Sequence, residues 1–233
     1  MIRRPAAPIA TFAMILAILA IATPGGSRAE AASRAALTLA PGSELWMEGK
    51  STVHDWESRT RTLHVAFTRA AGPADLSARG IETLIRGRAI LGVDVRIPVA
   101  SLHSEKKGLD KNMLKALHAD QYPTIDFHMD RYTIVARTAA DTLKLRLEGT
   151  LTVRGIEKRL TLDAVARKAD KGEWVDGAQA LNMSDFGIKP PTMMMGTLKV
   201  RDRIVVHYHL LLVPDSAVAS ALKSTGRSGE CPT

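Results

Sequence analysis

Residues 143–164 read Leu-Lys-Leu-Arg-Leu-Glu-Gly-Thr-Leu-Thr-Val-Arg-Gly-Ile-Glu-Lys-Arg-Leu-Thr-Leu-Asp-Ala. Leu143, Leu145 and Leu147 alternate with Lys144, Arg146 and Glu148. Successive side chains on a strand point to opposite faces, so a period of two specifies a strand with one buried face. After a turn at Arg154-Gly155 the pattern resumes, with Leu160, Leu162 and Ala164 alternating with Arg159, Thr161 and Asp163.

The same alternation recurs on both sides of this pair. Leu63, Val65 and Phe67 alternate with Thr62, His64 and Ala66, and Val93, Val95 and Ile97 with Asp94 and Arg96, closed by Pro98. Ile125, Phe127 and Met129 alternate with Asp126 and His128, and Ile204, Val206, Tyr208 and Leu210 with Val205, His207 and His209. Residues 45–50 and 178–183 supply two further strands, about eight in all. Only residues 108–117 read as a helix: Leu109, Met113, Ala116 and Leu117 keep helical spacing, and Tyr122-Pro123 stops the run. The expectation is an all-β chain with one short helix. The absence of a strand–helix repeat makes it an antiparallel barrel or sandwich.

Composition bounds the rest. The chain has 233 residues, 45% hydrophobic, 24% charged and 4% aromatic, with a single cysteine. Those values exclude a collagen-like, disulfide-scaffold or wholly disordered chain. At the N-terminus Arg3 and Arg4 precede an apolar stretch over residues 9–22, Pro24-Gly25-Gly26, and a small-residue site at Ala29-Glu30-Ala31. This is the layout of a cleaved secretory signal peptide, and the apolar stretch is shorter than the ~20 residues a spanning helix needs. Three segments are therefore expected: signal peptide 1–31, barrel domain 32–213 and disordered C-terminal tail 214–233. Cleavage lowers the formal net charge from +8 to +6 and leaves Cys231, in the tail, as an incidental thiol.

Three ordered phrases go beyond pattern. The first is Glu48-Gly49-Lys50-Ser51-Thr52-Val53-His54-Asp55-Trp56-Glu57. The second is Val99-Ala100-Ser101-Leu102-His103-Ser104, then Leu109-Asp110-Lys111-Asn112-Met113, then Gln121-Tyr122-Pro123-Thr124-Ile125-Asp126-Phe127. The third is Gly149-Thr150-Leu151-Thr152-Val153-Arg154-Gly155-Ile156-Glu157-Lys158, followed by Met183-Ser184-Asp185-Phe186-Gly187-Ile188-Lys189-Pro190-Pro191-Thr192-Met193. Together they resemble the YceI-like family, in particular members with a Ser-Thr-x-His-Asp-Trp segment, over roughly residues 37–213. The resemblance implies an eight-stranded antiparallel lipocalin-like barrel, often periplasmic, whose characterised relatives hold a long isoprenoid or a fatty amide. His54, Asp55, Trp56 and Asp185 belong to the matched phrases and are expected to support loops at one barrel end.

The chemistry is that of a container. An eight-stranded barrel either fills with side chains or leaves room for one ligand. The apolar faces put Phe67, Val95, Ile97, Ile125, Phe127, Leu145, Leu147, Leu162, Val206, Tyr208 and Leu210 on the interior, with Met193, Met194 and Met195 as an adaptable lip at the entrance. Arg86, Arg88, Arg96, Lys144, Arg146, Arg159, Lys199, Arg201 and Arg203 interleave with the apolar rows and are read mainly as a solvated outer face. A few of them at the mouth would meet a lipid phosphate or an anionic membrane surface. The expected function is a secreted or periplasmic, non-enzymatic protein binding an isoprenoid or other long-chain lipid, with no cofactor. Low aromatic content and export argue against nucleic acid. His207-x-His209 or the methionine loop would serve an alternative copper or zinc carrier, and a filled barrel would serve a cargo-free envelope-stress interaction protein. No activated serine or cysteine is present for nucleophilic catalysis. The oligomeric state is left open, a homodimer included.

Overall fold

The computed structural model describes residues 33–34, 37–70, 78–139, 142–193 and 198–215. The expected signal peptide, Met194, Met195 and nearly all of the expected tail lie outside the described residues. The strands are β1 (Ser33–Arg34), β2 (Leu37–Leu39), β3 (Glu44–Ser51), β4 (Asp55–Thr60), β5 (His64–Arg69), β6 (Ile90–Pro98), β7 (Thr124–Ala139), β8 (Thr142–Val153), β9 (Ile156–Ala169), β10 (Gly172–Asn182), β11 (Thr192–Met193) and β12 (Leu198–Pro214). Helices α1 (Ala78–Arg86) and α2 (Lys107–Ala116) flank β6, and 3-10 turns occupy Val99–Ser101 and Met183–Phe186. Pro214, placed at the head of the tail in the sequence reading, is the last residue of β12 and pairs with Leu37.

All strands join one curled antiparallel sheet in the order β1-β5-β6-β7-β8-β9-β10-β12-β3-β4, with β2 and β11 also on β12. From β5 to β10 each strand pairs with its sequence neighbour, as short connections favour. The N-terminal segment bridges distant strands: β1 pairs with β5, while β2 pairs with the end of β12. At the opposite end Arg59 of β4 and His103, after β6, exchange backbone hydrogen bonds of 2.8 and 2.9 Å. Register shifts in β7 at Met129/Arg131 and Ile134/Ala136 add the local bend and twist that curl a long sheet. The fold is the lipocalin-like antiparallel architecture expected.

The single-helix expectation is corrected, because α1 is a second one. Its Ile81 and Ile85 are buried in the cluster that also holds Tyr132, Leu143 and Leu145. Tyr132 adds to its C-terminal end by donating to the carbonyls of Ile85 at 2.9 Å and Leu84 at 3.3 Å, which also accept from the backbone N–H groups of Arg88 and Ala89. Tyr132→Phe removes both bonds and keeps the ring, so a loss of about 1–2 kcal/mol is expected in urea unfolding. Burial pushes the Tyr132 hydroxyl up to about 12. The folded state therefore holds this proton more tightly than the unfolded chain. The associated stability is complete below about pH 10 and is lost as pH rises towards 12. The variant's alkaline unfolding curve should be correspondingly flatter over that window.

The interior divides into two packed clusters. One gathers Leu37, Phe67, Met129, Leu143, Leu145, Ala164, Ala166 and Leu212 around α1. The other gathers Met47, Val99, Leu102, Leu117, Val153, Met183, Phe186 and Ile188 beside α2 and the 3-10 turns. Arg86 pairs with Glu82 within α1, whereas outside Arg96 pairs with Asp126 and Arg146 with Asp163 across strands. Such exposed pairs stabilise little but keep the outer face solvated.

Candidate functional site

Between the two clusters lies a cavity of about 310 Å³, at the lower end of the ~300–1,000 Å³ typical of small-molecule sites. The alternation builds its wall. Phe67 from β5, Val95 and Ile97 from β6, Ile125 and Phe127 from β7, and Leu145 and Leu147 from β8 line it. Leu162 from β9 and Val206, Tyr208 and Leu210 from β12 complete the same surface. Phe67, Ile97 and Leu145 are buried, whereas Val95, Ile125, Phe127, Leu147, Leu162, Val206, Tyr208 and Leu210 are only half-buried. An inward-facing residue keeps accessible surface when empty space takes the place of packing atoms. The sheet is thus packed at its ends and hollow between them. Met193 belongs to β11, and Met194 and Met195 lie outside the described residues.

Few polar groups in this wall are free. The Tyr132 hydroxyl is bonded to α1 as described, and Tyr208 donates to the Asp163 carbonyl at 3.1 Å. Burial raises the Tyr208 hydroxyl far above its ordinary value, so it remains a neutral donor. Gln179 donates to the Ala180 carbonyl at 3.0 Å. The indole Nε1 of Trp56 is buried without a hydrogen-bond partner among the described residues. Trp56 lies over Gly49, where any Cβ would fall 2.2 Å from its ring. Trp56 lines the cavity, not only a loop. His54 and Asp185 lie in connections, where the His54 carbonyl accepts from Ser51 Oγ at 2.6 Å and Asp185 accepts from Asn182 at 3.2 Å, whereas Asp55 opens β4.

The histidines of β12 face outward. His207 stacks on Trp46 with ring centroids 4.9 Å apart, and His209 stacks on Trp174 at 3.9 Å. His209 Nδ1 also bonds Asp176, which Arg167 bonds in turn. Burial opposes ionisation of Asp176, but the hydrogen bonds from His209 and Arg167 outweigh it and hold the carboxyl below its ordinary value. Among the described residues no group of three or more His, Cys, Asp or Glu side chains converges as metal ligands would.

Residues 45–212, which carry both the curled sheet and the whole cavity wall from Leu45 to Leu212 apart from Leu39, match the YceI-like domain. This chain belongs to the YceI-like family. No curated protein sequence matches it. Among solved structures, this YceI-like chain is similar to BcnA of Burkholderia cenocepacia, with 16% identity, a TM-score of 0.55, and coverage of 73% of this chain and 96% of that one. It is also similar to a polyisoprenoid binding domain from Saccharophagus degradans implicated in plant cell wall breakdown, with 12% identity, a TM-score of 0.56, and coverage of 77% and 99%. At such identities the likeness is one of fold. No helix among the described residues of the YceI-like chain is long and apolar enough to cross a membrane.

Several wall residues escaped the sequence reading. Leu102, Met113, Leu117 and Ile188 come from turns and from α2, where no period of two exists. The helical spacing of Met113 and Leu117 was the available signal for those two. Ile85 came with the missed helix α1.

Proposed function

We propose that this YceI-like protein is a non-enzymatic carrier, secreted or periplasmic after signal-peptide cleavage, that holds a long apolar molecule such as a polyisoprenoid or fatty-acid derivative. The observation that carries the reading is the hollow between two packed clusters, walled by aliphatic and aromatic side chains whose tyrosine hydroxyls are already bonded to backbone. Such a wall offers burial and almost nothing else. At ~25 cal/mol per Å², enclosing roughly 300 Å² of a hydrocarbon chain contributes about 7 kcal/mol before the costs of association. The Saccharophagus domain, described as polyisoprenoid-binding, supports the same class of cargo. Membrane contact through outer basic residues would assist loading from a lipid surface.

Native mass spectrometry of the mature protein from its own compartment, with organic extraction, tests the proposal. The expected result is a co-purifying lipid of defined mass, or stoichiometric uptake of added polyprenyl phosphate by the stripped protein. Recovery of no lipid together with no uptake would refute the carrier reading and favour a cargo-free protein.

A further inference from the structure

Asn112, Ala116 and Pro191 line the apolar cavity and also a second recess of about 360 Å³, so the two spaces adjoin beside α2. Four other residues of this recess are Lys115 at the end of α2, His118 just beyond it, Arg154 in the β8–β9 turn and Lys189 after the second 3-10 turn. Among the described residues no Asp or Glu lines it. The contrast with the outer sheet face is marked, since arginines there, such as Arg96, Arg131 and Arg159, each carry a carboxylate partner. Here Arg154 is held by neutral acceptors instead: Nη2 donates to His118 Nε2 at 3.3 Å, and Nη1 donates to the Gly187 carbonyl. Arg154 Nε is buried and has no hydrogen-bond partner among the described residues.

The backbone at this recess is unusual as well. Among the described residues three non-glycine positions have positive φ, and two of them are His118 at 49° and Arg154 at 52°. Arg154 and Gly155, with φ of 52° and 73°, form the two-residue turn between the paired Val153 and Ile156. Positive φ at both positions favours Asn, Asp or Gly at the first of them. Arginine is a poor local choice there, and it extends a guanidinium into the recess.

We infer that this recess is a headgroup site for the anionic end of the cargo, a phosphate or a carboxylate, whose chain occupies the adjoining cavity. The inference rests on the carrier reading and adds the chemistry of the ligand's head. A guanidinium and two ammonium groups with no acidic neighbour in the recess match an anion by charge and by donor geometry. An apolar tube beside a cationic recess selects an amphiphile over a plain hydrocarbon. The basic residues picked out by strand alternation are not those of the site, because Lys115, His118, Arg154 and Lys189 sit on a helix end and two connections.

The test compares farnesyl phosphate with farnesol, and palmitate with hexadecanol, on the stripped mature protein and on the double variant Arg154→Asn/Lys189→Gln. Asn suits the positive-φ turn, so loss of folding does not cloud the result, and circular dichroism verifies this. The wild type is expected to favour the anionic member of at least one pair by about tenfold or more, a difference of ~1.4 kcal/mol. In the double variant that ratio should fall close to one. Preference in the phosphate pair, the carboxylate pair or both supports the site and identifies its head. A wild-type ratio near one in both pairs, or a ratio that survives in the variant, overturns the headgroup site and leaves the carrier reading intact. Failure of all four probes to bind the wild type sinks both.

Discussion

Replacing Leu162 and Val206 together by phenylalanine is expected to abolish lipid uptake, weakening binding by about a hundredfold or more, while leaving the fold standing. Both residues face the cavity and both are only half-buried, because their inward surface meets empty space. Leu162 lies on β9, paired with Leu147, and Val206 lies on β12 between Met47 and Gln179. Two added rings would therefore take the volume a hydrocarbon chain needs. Overpacking a filled core costs about 1–3 kcal/mol, but rings entering a void gain dispersion contacts that partly or wholly offset the strain. The measurement is a pair: probe affinity by fluorescence displacement and melting temperature by circular dichroism. Retained affinity in a variant with wild-type melting would mean that cargo, if any, binds elsewhere. Lost affinity with a large fall in melting temperature would mean that the cavity volume is smaller in solution than the hollow seen here.

The strands were readable because a sheet with one wet and one dry face writes its geometry into every second residue. The eight runs correspond to β3, β5, β6, β7, β8, β9, β10 and β12. Strand β4 escaped because its inward row is Trp56, Ser58 and Thr60, of which Ser58 and Thr60 are buried and polar. An inward face made of small hydroxyl residues carries no hydrophobic period. Helix α1 escaped although Ile81, Leu84 and Ile85 stand at i, i+3 and i+4, since a single two-turn helix offers that spacing only once. The cavity wall was legible from the same alternation that made the strands, but whether the interior is hollow is a property of summed side-chain volumes over the whole barrel. The cationic recess was beyond a linear reading. Its residues run from Lys115 to Lys189 with no repeat or spacing, and only the return of β8 to β9 brings Arg154 beside the end of α2.

Gly149→Ala is expected to destabilise the protein by about 3 kcal/mol, whereas Gly108→Ala should stabilise it by about 0.5–1 kcal/mol. One added methyl group thus acts with opposite sign at two glycines. Gly149 is an inward position of β8, paired with Met129 at the register shift that bends β7. A Cβ there would fall 2.2 Å from the His128 carbonyl oxygen and 2.8 Å from Phe127 Cζ. The carbonyl belongs to the neighbouring strand's backbone and cannot rotate aside as a side-chain tip does. Relief requires β7 and β8 to separate where the sheet turns its corner, the kind of place where barrels use glycine kinks. Displacement of the Phe127 ring would also push into the cavity, so probe affinity should fall along with stability. Gly108 sits in the first turn of α2, where a Cβ would meet nothing within 4 Å. There alanine only removes freedom from the unfolded chain and improves helix propensity. At the scale of about 2–4 °C per kcal/mol for a domain of this size, the two variants should melt about 6–12 °C below and roughly 1–4 °C above the wild type. Equal melting of Gly149→Ala and wild type would show that the close approach of β7 and β8 is not maintained in solution. The bend that makes this flat ladder of strands into a container would then have to come from the bulges alone.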